Sequence, residues 1–180
     1  MKKRTWASIS AVVLLLSVAK PAYGFTWSLV KARIRHDFPE VEQITPAELA
    51  AWLEDHTRPA PLLLDVRTRP EFEVSHLRGA VSVEPDAPVS SIAEPKERPI
   101  VTYCSVGYRS ATFARKLKAA GYTRVLNLEG SIFQWANEGR PLYRRETRVE
   151  KVHPYNRVWG LLLRPEHRAV LPPANETKGG

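Results

Sequence analysis

The chain has 180 residues, with 27 Lys and Arg against 19 Asp and Glu, a formal net charge of +8 and a single cysteine. One thiol excludes any disulfide within the chain and leaves an odd cysteine that is either free and reactive or paired between chains. Four of the cations, Lys2, Lys3, Arg4 and Lys20, sit in an N-terminal stretch that reads as a leader, and without them the charge falls to +4; with no zinc spacing, recognition helix or stacking pattern, nucleic acid is not an expected partner.

That stretch, MKKRTWASISAVVLLLSVAKPAYG, has a basic start, an apolar run and the small residues Ala22 and Gly24 spaced for signal peptidase. From Trp6 to Ala19 the run has 14 residues, short of the ~20 needed to span a bilayer. Cleavage after Gly24 is expected, with no stable membrane insertion afterwards; the alternative is an uncleaved anchor. There is no paired arginine, and no cysteine near the cleavage point to carry a lipid. A periplasmic or otherwise exported chain starting at Phe25 follows.

Residues 25–44 form a lead-in of mixed charge. In ITPAELAAWLED, Thr45 is a candidate N-cap, Pro46 takes the first helical position and Glu48 the third, with Leu49, Trp52 and Leu53 on one apolar face. PLLLDV is a short apolar run of the kind found in a strand covered on both faces. RPEFEVSHLRGAVSV reads as a short helix, a turn at Gly79 and a second strand, and PIVTYC as a third buried strand ending at Cys104. In RSATFARKLKAAG, Ala111, Ala114, Leu117 and Ala120 share a helical face and Gly121 stands at the stop position. TRVLNLEG is a further strand and SIFQWANEG a last short helix. Strands alternating with helices imply an α/β domain, a central parallel sheet with helices on both faces. Residues 143–180 change character: a basic stretch, the apolar VWGLLL, expected to dock on the domain, and a PPANETKGG end of disordered composition.

Cys104 stands at the carboxyl end of a strand, where sites form in such sheets, and Arg109 and Ser110 open the helix that follows. Gly107 permits the tight turn between them, in which successive N–H groups can face inward as an anion nest. The helix N-terminus adds roughly half a positive charge, and Arg109 a full one. All three favour the nucleophilic thiolate, and they would equally hold a persulfide or a bound anionic sulfur donor. A lone cysteine is often just a buried structural one; the strand–loop–helix setting with Gly107 and Arg109 favours activation. Candidate substrate-binding residues are Ser105, Val106, Gly107, Tyr108, Arg109 and Ser110, with Tyr108 at the pocket mouth.

Two segments carry a family resemblance: LLLDVRTRPEFEVSHLRGAVSV and VTYCSVGYRSATFARKLKAAGYTRVLNLEGSIFQWANEGRPL. With Asp-Val-Arg, Glu-Phe, His-x-x-Gly-Ala, the Cys loop and a segment, LEGSIFQW, similar to the family's Leu-x-Gly-Gly-x-x-x-Trp, residues 45–142 resemble the rhodanese (thiosulfate sulfurtransferase) domain. The resemblance implies a single-domain, rhodanese-like three-layer fold in which Cys104 accepts a sulfane sulfur as a persulfide and passes it on. Related phosphatases and arsenate reductases have five residues between Cys and Arg; here there are four, Ser105 to Tyr108. The tighter ring suits one sulfur atom rather than a tetrahedral oxyanion, and the loop holds no acidic residue to protonate a leaving alcohol.

The expected activity is that of a sulfurtransferase of the thiosulfate:cyanide class, using a small anionic donor such as thiosulfate and an external acceptor: a thiol, cyanide or a protein cysteine. Arg109 either steadies the anionic donor or orients the loop. The alternative is a non-catalytic persulfide carrier or binding module that delivers sulfur to a dedicated protein, the tail supplying its docking surface. Asp65 and Arg67 could reach the rim of the site, though strand-end charges are usually paired. His76 is expected to be a packed histidine, and Phe133 and Trp135 core. His36, His56, His153 and His167 lack ligand spacing, so neither metal nor cofactor is expected.

Overall fold

The computed structural model describes the backbone of residues 19–171 and the side chains from Trp27 onward. The basic start and most of the apolar run of the leader, and the PPANETKGG end, lie outside the described residues. The lead-in, for which the sequence offers no element, is largely helical: α1 spans Ala19–Asp37. Trp27, Val30 and Ile34 recur at helical spacing and pack inward, while Arg35 and His36 lie in the last turn, where cations complement the helix dipole. Among the described residues no helix is long and apolar enough to cross a membrane.

Five parallel strands make the sheet: β1 (Glu42–Ile44), β2 (Leu62–Asp65), β3 (Val81–Ser82), β4 (Ile100–Tyr103) and β5 (Val125–Leu128), in the order β1-β5-β4-β2-β3. Alternation along the strands sends side chains to two separate cores. Leu63, Val101 and Tyr103 pack with Leu49 and Trp52 of α2 (Pro46–Glu54) and with Ile132, Phe133 and Trp135 of α5 (Ser131–Asn137). Leu64 and Ile100 pack on the other face with Ala111, Ala114 and Leu117 of α4 (Tyr108–Ala119) and Ile34 of α1. The result is the expected three-layer α/β domain. The expected caps form as well: Thr45 and Glu48 close a capping box, and Gly121 ends α4 at φ +92°. The short α3 (Arg69–Val74) begins with a second box between Thr68 and Glu71.

The C-terminal stretch is woven into the domain rather than appended after Leu142. β6 (Leu142–Arg144) and β7 (Thr147–Val149) form an antiparallel hairpin, and Tyr143 bridges to His76. Beyond it Val152, Leu162 and Leu163 enter the core, and Asn137 at the end of α5 donates to Leu162 O at 2.7 Å and accepts from Arg164 N at 2.8 Å. VWGLLL thus docks in part: Leu162 and Leu163 are buried, whereas Val158 and Leu161 remain exposed.

Glu129, in the turn after β5, fixes α1 in place. Its buried carboxylate pairs with Lys31 at 2.8 Å and also with Arg35. Removing its charge leaves two cations of α1, one turn apart, without their shared carboxylate. Glu129→Gln should cost about 1 kcal/mol in denaturant unfolding, a partly screened pair being worth little more, and should let trypsin cut at Lys31 and Arg35 earlier than in the unaltered protein.

Candidate active site

The loop after β4 owes its shape to α5. The N–H groups of Ile132 and Phe133 donate to the carbonyls of Cys104 and Ser105 at 3.2 and 3.1 Å, and Asn127 Nδ2 donates to Gly107 O at 3.2 Å. Because each peptide is trans and planar, holding these carbonyls outward turns the following N–H groups of Ser105, Val106 and Tyr108 to the inner side of the loop. Gly107 completes the ring: its N–H donates to Cys104 Sγ at 3.2 Å, and it adopts φ +113° as the cap of α4. A Cβ on this residue would stand 3.1 Å from Ile34 Cδ1 and 3.5 Å from Asn127 Nδ2, so glycine is required both by its backbone angle and by the closeness of α1. Cys104 as a residue is only 1% exposed, yet it lines the floor of an open cleft.

Arg109 is committed to a carboxylate. Its guanidinium holds Glu71 with two hydrogen bonds, at 2.9 and 2.7 Å, and donates to Ser105 Oγ at 3.0 Å, while Ser105 Oγ donates to Glu71 at 3.0 Å. The Tyr155 ring lies 4.8 Å from the guanidinium. Burial alone would raise the Glu71 carboxyl, but the Arg109 guanidinium, aided by the Thr68 N–H and the Arg67 charge, brings it down to about 2. Burial acts to lower Arg109, and Glu71 and the nearby Cys104 reverse that, so it stays a cation. Of the two roles open to Arg109, orienting the loop is the one its contacts support.

Asp65 and Arg67 do not reach the rim. Both are fully buried; the Arg67 guanidinium donates two hydrogen bonds to the Asp65 carboxylate, at 2.8 and 2.6 Å, and one to Ser75 O at 2.6 Å, and the Arg67 N–H donates to Asp65 at 3.1 Å. A pair removed from water holds only with such geometry, and here it links the end of β2 to the segment after α3. Beside it Tyr103, on the strand leading to Cys104, accepts from Leu77 N at 3.1 Å; burial, then the Asp65 charge, raises its hydroxyl. His76 packs as expected, stacked on Phe72 with ring centroids 4.0 Å apart.

The cleft has a volume of about 580 Å³. From the loop, Cys104, Ser105, Val106, Tyr108 and Arg109 line it. Gly107 lies behind the sulfur, and Ser110 is wholly buried with its carbonyl accepting from Thr102 and its hydroxyl unpartnered among the described residues; neither contributes to the lining. Tyr108 stands at the mouth as expected, its hydroxyl donating to Asp37 at 3.0 Å and its ring edge-on to Phe38. The other walls come from the two flanks: Leu29, Val30, Arg33 and Ile34 of α1, and Tyr155 and Trp159 of the tail. Sequence reasoning missed these residues and Glu71. His153, whose pKa is lowered by burial, also feels the charges of Glu71, Arg67 and Arg109.

Residues 45–138 match the family described as the rhodanese-like domain, and the chain belongs to that family. It is 36% identical over 102 residues to a "Probable adenylyltransferase/sulfurtransferase MoeZ" of Mycobacterium tuberculosis, covering 54% of this chain and a quarter of that protein (25%). It is 38% identical over 82 residues to a "Sulfurtransferase" of Allochromatium vinosum, covering 45% of this chain and 77% of the relative. Among solved structures, the rhodanese-like domain of an Anabaena protein superposes with a TM-score of 0.53 at 27% identity, over 58% of this chain and 80% of that one.

Two outcomes test the loop's supports. Glu71 is held low in the folded state, so its contribution is complete above the unfolded carboxyl value of about 4.3 and is lost as pH falls towards 2. Linkage sets an upper scale of about 3 kcal/mol for it, so Glu71→Gln should be destabilised most at neutral pH, with the gap to the unaltered protein closing near pH 2 in chemical unfolding curves. Gly107→Ala adds roughly 1–2 kcal/mol of backbone strain and pushes against Ile34. It should lower stability by that amount, measured in chemical unfolding curves.

Proposed function

We propose that the protein is an exported sulfurtransferase that carries a sulfane sulfur on Cys104 from a donor to an external acceptor. The observation that carries this reading is the Gly107 N–H directed at Cys104 Sγ at 3.2 Å, with Cys104 lining a cleft beside the start of α4. The thiolate attacks the outer sulfur of the donor; the donor's S–S bond breaks and its remainder leaves with the bonding electron pair. With thiosulfate the leaving group is sulfite. The terminal sulfur of the persulfide then lies within reach of the inward amides and the N-terminus of α4, which stabilise negative charge there. A second nucleophile, cyanide or a thiolate, attacks that sulfur and returns Cys104 to its thiolate. No other cysteine exists in the 180 residues to resolve the persulfide internally.

The four-residue spacing supports sulfur over phosphate, and the Glu71–Arg109 pair does too, since the arginine that would bind a phosphoryl group is already occupied. The carrier reading loses its separate docking element, because Val152, Leu162 and Leu163 of the tail are core. Export rests on the leader's composition. All residues of α1 that line the cleft or pair with Glu129 come after Gly24, so cleavage there would leave the site whole.

Intact-mass analysis of the purified protein after exposure to thiosulfate should show one added sulfur on Cys104 and a mature start at Phe25. Cys104→Ser should show none. Sulfur delivery to cyanide at the normal rate by that variant would reject the mechanism, and a retained leader on protein recovered from the periplasm would reject cleavage after Gly24.

A further inference from the structure

The cleft over Cys104 is out of scale with a small oxyanion. Its volume of about 580 Å³ falls among sites for organic ligands, roughly 300–1,000 Å³. Its walls are largely apolar: Leu29, Val30 and Ile34 on one side, Val106 beneath and Trp159 opposite. Both cations that border it are matched already, Arg109 by Glu71 at 2.7 Å and Arg33 by Asp37 at 2.6 Å. A dianion entering this cleft would lose hydration against hydrocarbon and, among the described residues that line it, meet no unmatched side-chain charge on the way to the loop amides. Cys104, as a residue 1% exposed, is recessed at the floor, beyond easy reach of the short side chain of a cysteine on a folded protein surface.

We propose that the sulfur donor is an organic molecule, a persulfide or thiosulfonate, whose apolar body lies between α1 and Trp159 while its terminal sulfur meets Cys104. This rests on the sulfur-transfer reading above. For a persulfide, the Cys104 thiolate bonds to the outer sulfur of R–S–SH, the S–S bond breaks, and R–S⁻ leaves with the electron pair, the proton staying on the transferred sulfur. For a thiosulfonate, R–SO₂–S⁻ gives up its outer sulfur and R–SO₂⁻ leaves as the sulfinate. In both, one S–S bond is exchanged for another and no external oxidant or reductant enters.

Methane-, butane- and octanethiosulfonate share one reactive head and differ in apolar length, which makes them suitable probes beside thiosulfate. The second-order rate constant for persulfide formation on the purified protein, taken from rapid-quench intact mass and divided by each donor's rate with free glutathione, should rise about tenfold or more from methane to octane. The octane donor should also exceed thiosulfate. Trp159→Ala and Leu29→Ser should each reduce the octane-to-methane ratio, a measure internal to each variant and so independent of any general loss of activity. Equal normalised rates along the series, with persulfide still forming, would overturn the organic donor and leave sulfur transfer standing. A rise that persists undiminished in both variants would overturn this cleft as its cause. Absence of persulfide from every donor would overturn the sulfur-transfer reading and this proposal with it.

Discussion

The site depends on the tethering of two carbonyls. Cys104 O and Ser105 O accept from the first turn of α5, and planarity of the peptide then decides where the next amides go. This satisfies the loop's acceptors and α5's otherwise unpaired N-terminal donors with the same hydrogen bonds. It also makes the inward ring a consequence of packing between two elements, not of the loop's own preference. Ser131, at the unusual φ of +49°, belongs to the same arrangement: its hydroxyl accepts from Cys104 N at 3.1 Å and donates to Leu128 O at 3.2 Å. A non-glycine residue in that region carries strain of order 1 kcal/mol or more, and those two buried hydrogen bonds offset it where β4 and β5 deliver their loops.

The two flanks convert a recessed thiol into the floor of a cleft. α1 lies against Gly107 through Ile34, meets Tyr108 through Asp37 and the following Phe38, and is anchored by Glu129. Opposite, the tail places Tyr155 beneath the Arg109 guanidinium and Trp159 at the wall. Glu129 and Arg109 thus each serve twice, once in the sheet-end architecture and once in anchoring a flank.

Most of the sheet and every helix from α2 to α5 were legible in the sequence, because their signals are local: a Thr-Pro-x-Glu cap, buried apolar runs, a terminal glycine. The Cys104–Ser110 loop was legible for the same reason. α1 was not, because its apolar stripe of Trp27, Val30 and Ile34 is interrupted by Lys31, Arg33 and Arg35, whose charges are matched only by Asp37 and the distant Glu129. Glu71 was hidden by its place in an ordinary capping box, where one carboxylate satisfies Thr68 locally and binds Arg109 at long range. The burial of Asp65 and Arg67 was foreshadowed by their type and position, but whether they faced the rim or the core turned on Ser75 O, whose position the sequence does not reveal.

The pairing of these charges bears on how the site discriminates. Arg67, Arg109 and Arg33 each have a carboxylate of their own, so the charged side chains around Cys104 largely cancel, and what remains to favour an anion is the backbone: inward amides and the start of α4. Backbone dipoles act strongly only within a few ångströms, which confines the preference for negative charge to the immediate surroundings of Cys104 Sγ. Farther out the cleft is apolar, and selection there falls to size and shape. Under the proposed sulfur transfer, the loop would set the thiol's reactivity and the flanks its choice of partner. The two can therefore vary independently: the loop lies within the rhodanese-like segment, while α1 and the tail wall lie outside the residues it matches.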